Sequence, residues 1–156
     1  MRIIHLIRDS RAVAYSWQRK KRNPAVQQKE AYMERLNIIR SSILWSFDNF
    51  FVNLLRKKAS NYVAIRYEDL ARNPKDMLIW LLKRIELCPT SFSFFINDHT
   101  VYLHTGHTVG GNPMRFKQGI IEIQLDEEWK QKMPVYKRLA VTAFTWPLLL
   151  RYGYLR

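Results

Sequence analysis

Two residues near the start of the chain have types and spacing suited to holding an anion. They are Arg8 and Ser16, eight positions apart, in the stretch RDSRAVAYS. An arginine guanidinium grips a phosphate through two parallel hydrogen bonds, and a serine hydroxyl adds a further donor. Arg8 follows the apolar run Ile3, Ile4, His5, Leu6, Ile7, so it is expected at the end of a strand with a helix starting just beyond. The first N–H groups of such a helix lack intrahelical partners, and its dipole adds partial positive charge. The plainer alternative pairs Arg8 with Asp9 and leaves Ser16 on an ordinary helix face.

Other residues offer chemistry more weakly. In GGNPMRFKQG, Gly110 and Gly111 permit close backbone approach, Asn112-Pro113 sets a turn, and Arg115 and Lys117 follow where they can flank a dianion. His107 is a candidate acid–base residue, against the plainer reading of a structural or solvent-facing loop histidine. Asp98, His99, His104 and His107 form a candidate metal set, but HTGH would ligate zinc only if helical, and Gly106 and the lack of a matching glutamate motif count against it. Cys88 is the only cysteine, which excludes an internal disulfide and a cysteine-based zinc site.

The elements that must position these residues follow from apolar spacing. The chain has 156 residues, 47% hydrophobic, enough for one domain with a core. Residues 2–8 predict a strand covered on both faces, as in a parallel sheet, and residues 11–22 a helix with Asp9 or Ser10 as N-cap, broken at Asn23-Pro24. Over residues 29–58, Leu36, Ile39, Ile43, Phe47, Phe50 and Leu54 recur at three- and four-residue steps and predict a long helix with that stripe inward. Residues 62–67 predict a second strand, and residues 75–87 a helix with Leu78, Leu81, Leu82 and Ile85 inward. Residues 89–111 predict a long loop with short ordered pieces, residues 125–132 a short helix capped by Asp126, and residues 135–151 a helix interrupted at Pro147. Strand, long helical connection, strand, helix is the order of an α/β parallel sheet, with a right-handed crossover.

Three segments resemble the sulfotransferases that use 3'-phosphoadenosine 5'-phosphosulfate. IIHLIRDSRAVAYSW is similar to that family's 3'-phosphate-binding strand and helix, which implies that Arg8 and Ser16 hold the 3'-phosphate. VAIRYEDLARNPKDMLIWLLKRIEL resembles its later strand-turn-helix block and implies that Tyr67 approaches the adenine. HTVGGNPMRFKQGIIEIQLDEEWK resembles a late cofactor-binding loop and implies contacts from Arg115, with Lys117 and Gly119 beside it; the looser spacing looks closer to the carbohydrate-type or bacterial branches. The implied fold is α/β, a P-loop NTPase-like three-layer sulfotransferase fold with a parallel sheet and flanking helices. The implied activity is transfer of a sulfuryl group to an acceptor hydroxyl, which in the carbohydrate-type branch lies on a carbohydrate. Adenosine 3',5'-bisphosphate is then the nucleotide product, and the chemistry requires no metal.

The resemblance covers nearly the whole chain but only the C-terminal part of the family's domain. The glycine- and lysine-containing loop that cradles the 5'-phosphosulfate, and the catalytic base that accompanies it, have no counterpart here. Residues 1–156 are therefore expected to be a single partial domain, with its N-terminal P-loop half missing or supplied by another chain. The start MRIIHLIRDS lacks signal-peptide features, and the expected location is the cytoplasm for a bacterial protein or the Golgi lumen for a eukaryotic carbohydrate-type enzyme. The net charge of +13 keeps open a noncatalytic basic module binding nucleic acid or an anionic polymer through RKKR at 19–22 and RKK at 56–58. The plainer view makes both runs solvated helix ends. A P-loop kinase would share the architecture, but the three matching segments favour the sulfotransferases, for which no nucleic acid is expected as partner.

Overall fold

The structure, a computed structural model, describes residues 1–20, 32–87, 91–104 and 117–155. It divides into two compact units, one of Met1–Arg19, Glu34–Glu68 and Asp126–Arg156, the other of Lys20–Met33 and Asp69–Leu125. The architecture is mixed α/β, with a small parallel sheet and helices.

In the first unit, strand β1 (Arg2–Ile7) pairs in parallel with β2 (Asn61–Arg66), with Arg2 opposite Asn61 and Ile7 opposite Arg66. The connection carries helix α1 (Ser10–Gln18), helix α2 (Ile38–Leu55) and a 3₁₀ turn, Arg56–Lys58. Asp9 caps α1, its carboxylate accepting the Arg11 N–H, and α1 ends at Gln18 rather than Arg22. Helix α3 (Tyr67–Arg72) starts directly behind β2. Helices α5 (Glu128–Lys132) and α6 (Val135–Arg151) complete the unit. Ala12 and Ala14 of α1 pack with Trp129, Met133 and Val141, and Ile7 packs with Trp45 and Leu149.

Three expectations about this unit are corrected. β1 is covered on one face only: His5 and Ile7 are buried while Ile4 and Leu6 are about half exposed. Helix α2 begins at Ile38, because the Asn37 side chain accepts the Arg40 N–H and starts the helix there. Its buried residues are Ser41, Ser42, Trp45 and Asn49, whereas Ile39, Ile43, Phe47, Phe50 and Leu54 lie outward. The helix is apolar on almost every side, so spacing alone does not say which side packs. Two polar groups decide it, the Trp45 indole N–H donating to the Arg8 carbonyl and Asn49 bonding His5. Finally, α6 runs without interruption through Pro147. The ring costs one hydrogen bond to the Ala143 carbonyl, and Val141, Thr145 and Leu149, all buried, hold the helix on either side of that gap.

In the second unit, α4 (Pro74–Arg84) opens with Pro74 at its first turn and buries Leu81, with Ile85 buried at its C-cap. Among the described residues of 89–111, the short ordered piece is a strand. Strand β3 (Thr100–Leu103) pairs antiparallel with β4 (Gly119–Glu122), and Phe95 bridges to Val101. These four-residue strands are too short to impose a readable alternation.

Candidate functional site

The parallel ladder ends with Ile7 beside Arg66, so the next residue on each strand is Arg8 and Tyr67. The Arg8 guanidinium carbon lies 4.8 Å from the centre of the Tyr67 ring. This places a cation on an aromatic face at the carboxyl ends of two parallel strands, where α/β sheets characteristically bind ligands. Residues 59 positions apart meet because the strands pair in that register.

Backbone around Arg8 is pinned from two sides. Its carbonyl accepts the Trp45 indole N–H at 3.0 Å, and the Ile7 carbonyl accepts the Tyr154 hydroxyl at 3.1 Å. The side chain, 24% exposed, donates from Nη2 to Asp126 Oδ2 at 3.0 Å. Its Nε is buried and has no acceptor among the described residues. Burial pushes the Asp126 carboxyl up, but the hydrogen bonds from Arg8 and the Glu128 N–H, with the charges of Arg8 and Arg19, outweigh it and hold the group below the ordinary aspartate value.

The start of α1 is not an open anion site. Asp9, 4% exposed, already takes the Arg11 N–H at 2.8 Å and grips the Arg11 guanidinium, with 2.6 Å from Nη2 to Oδ2. The Asp9 N–H donates to Glu68 Oε1 at 3.1 Å, and the other Glu68 oxygen accepts from Tyr154 at 2.5 Å. Burial first, then the Glu68 hydrogen bond and charge, raise the Tyr154 phenol far above its usual value, so it stays a donor. Asp9 pairs with Arg11 rather than Arg8, which leaves Arg8 as the cation facing the sheet end.

Ser16 lies two turns along α1, roughly 9 Å of helix rise from Ser10, half-buried, with its carbonyl accepting the Arg19 N–H. Lys117 is exposed, and Gly119 has φ +85°, a conformation that favours glycine; both belong to the second unit. Arg115 and His107 lie outside the described residues, as do Gly110 and Gly111. Asp98 is paired with Lys75 at 3.0 Å, and no group of three or more metal-ligating side chains occurs among the described residues. Among the described residues, no helix is long and apolar enough to cross a membrane.

Spacing gave no hint of Asp126 as the partner of Arg8, nor of a polar network under β1. There His5, 6% exposed, contacts the Tyr62 hydroxyl through Nδ1 at 2.6 Å and Asn49 Oδ1 through Nε2 at 2.9 Å. The Asn49 amide nitrogen donates to the Trp45 carbonyl at 2.7 Å, which fixes its oxygen toward His5 and makes Nε2 the protonated nitrogen. Burial lowers the His5 pKa, against the raising effect of the Asn49 bond. The available signal was parity, since His5 shares its strand face with Ile7.

The model of the sulfotransferase domain family matches residues 1–85, more than half of the chain. The chain belongs to the sulfotransferase family. The match contains Arg8, Ser16 and Tyr67 and ends before residues 115–119. No curated protein and no solved structure matches the chain. Sulfotransferases transfer a sulfuryl group from a nucleotide donor to an acceptor hydroxyl, and this family's domain is what the Arg8–Tyr67 corner lies in.

Proposed function

We propose that this sulfotransferase-family chain binds 3'-phosphoadenosine 5'-phosphosulfate, and its product adenosine 3',5'-bisphosphate, at the carboxyl end of the β1–β2 pair. Arg8 contacts the 3'-phosphate, Ser16 adds its hydroxyl, and Tyr67 lies beside the adenine; the sequence resemblance alone adds Arg115, Lys117 and Gly119 as nucleotide contacts. The donor brings the activated sulfuryl group, and the acceptor is a hydroxyl, in our reading on a carbohydrate. We read the β1–β2 pair and its helices as part of a P-loop-like fold, whose three-layer arrangement would cover the open face of β1. The observation that carries the proposal is the meeting of Arg8 and Tyr67 at the end of the parallel ladder. The buried Arg8 Nε, without an acceptor among the described residues, suits a phosphate oxygen.

Calorimetric titration with adenosine 3',5'-bisphosphate, with 5'-AMP as control, tests this. Binding that requires the 3'-phosphate and weakens by about 1.5–3 kcal/mol in Arg8→Ala is expected for a charge-assisted bond. Unchanged affinity in Arg8→Ala would remove Arg8 from the site. A second reading, a basic module for anionic polymers, draws on the exposed Arg56, Lys57 and Lys58. It predicts polymer binding that falls steeply with salt and ignores Arg8.

A further inference from the structure

The arginine assigned to the 3'-phosphate already holds a carboxylate. Arg8 reaches Asp126 Oδ2 through Nη2, while its neighbour Nε has no acceptor among the described residues. Nε–H and one Nη2–H point the same way along one edge of the planar guanidinium, the edge that grips carboxylates and phosphates through two parallel bonds. Asp126 takes Nη2, while the Nε beside it is buried. Its other oxygen, Oδ1, accepts the Glu128 N–H at 3.2 Å, so one carboxylate is divided between two tasks.

Resting on the nucleotide reading above, we infer that Asp126 is an internal stand-in for the 3'-phosphate, displaced when phosphate oxygens take Nη2 and Nε of Arg8 together. The surroundings permit the exchange. Asp126 is 42% exposed and keeps its bond to the Glu128 N–H if it turns away. Trp129 and Met133, buried behind it, keep α5 in the core. Glu128 is held independently by Arg19 and Lys132, each at 2.5 Å, so the departing carboxylate has no fixed competitor to unseat. A phosphate monoester carries about −1.5 to −2 charge and outcompetes a single carboxylate, whereas a nucleotide without the 3'-phosphate has nothing to offer Arg8. Asp126 thereby tunes the affinity for the 3'-phosphate, since a ligand that uses Arg8 must first displace it.

The test is calorimetry on the whole chain with adenosine 3',5'-bisphosphate and with 5'-AMP, for wild type, Asp126→Asn, Arg8→Ala and the double variant. Asparagine keeps an oxygen for the Glu128 N–H; Asp126→Ser replaces it if the asparagine protein does not fold. The expected result for Asp126→Asn is affinity for adenosine 3',5'-bisphosphate on the order of fivefold tighter, with 5'-AMP unmoved and the gain absent in the Arg8→Ala background. If Asp126 is instead a strut that steadies Arg8, binding weakens in Asp126→Asn. Unchanged or weaker binding, with wild type still losing its 3'-phosphate-dependent affinity in Arg8→Ala, overturns the inference and leaves the Arg8 assignment standing. Wild-type binding that is absent, or indifferent to Arg8→Ala, overturns the assignment and the inference with it.

Discussion

Trp45→Phe isolates the contact that turns α2 toward the sheet and anchors Arg8. The indole is 6% exposed, donates to the Arg8 carbonyl at 3.0 Å, packs with Ile7 and Leu149, and meets the Tyr152 ring edge-on at 6.2 Å. Phenylalanine preserves an aromatic ring but removes the donor, and an orphaned partly buried carbonyl costs about 1–3 kcal/mol. The smaller ring also leaves part of the indole volume empty, adding roughly 1 kcal/mol. A loss of about 2–4 kcal/mol is therefore expected, a large share of a typical domain's 5–15 kcal/mol. Urea denaturation followed by circular dichroism measures it, and with a slope of about 2 kcal/mol/M the midpoint falls by roughly 1–2 M. On the proposed nucleotide reading, affinity for adenosine 3',5'-bisphosphate is expected to fall as well, because Arg8 loses its backbone anchor. A midpoint within about 0.2 M of wild type would refute the claim that this hydrogen bond chooses the inward face of α2.

Four further outcomes follow from the same packing. Phe50→Ser, on the outward face of α2, is expected to cost less than Trp45→Phe in the same denaturation, because Phe50 is 52% exposed; a larger loss would mean that this face is covered in solution. Pro147→Ala restores an N–H to the interior of α6 at an exposed position and should stabilise by about 1–3 kcal/mol, read as a raised melting temperature; a lowered one would show that the ring is needed for packing. His5 has a folded-state pKa below its ordinary value of 6.5, so the unfolded chain binds the proton first. Stability is complete above that value and falls as pH drops through the folded pKa; a melting temperature flat across that window, or an equal decline in His5→Gln, would refute the assignment. Tyr154→Phe removes the hydroxyl shared by Glu68 and the Ile7 carbonyl and should cost about 1–3 kcal/mol in urea denaturation, an unchanged midpoint counting against that network.

Much of the organisation was legible because it is local. The run behind Met1 reads as a strand from its β-branched residues, Asp9 caps α1 through its own next-but-one N–H, and Asn73-Pro74 starts α4. Arg8 stood out by type and by its place at a strand end. β3 and β4 were not legible as strands, because each is four residues long and its ladder partner lies outside any local period.

What sequence alone determined is the family, the α/β order and the identity of a cation at a strand end, since these reside in residue types and near spacing. Which face of α2 packs, that Asp126 takes Arg8, and that Tyr67 lies under that guanidinium were decided by tertiary structure. Each depends on a group 37 to 118 residues away. Short-range periodicity carries no information about such partners; the parallel register and the docking of α5 and α6 supply it.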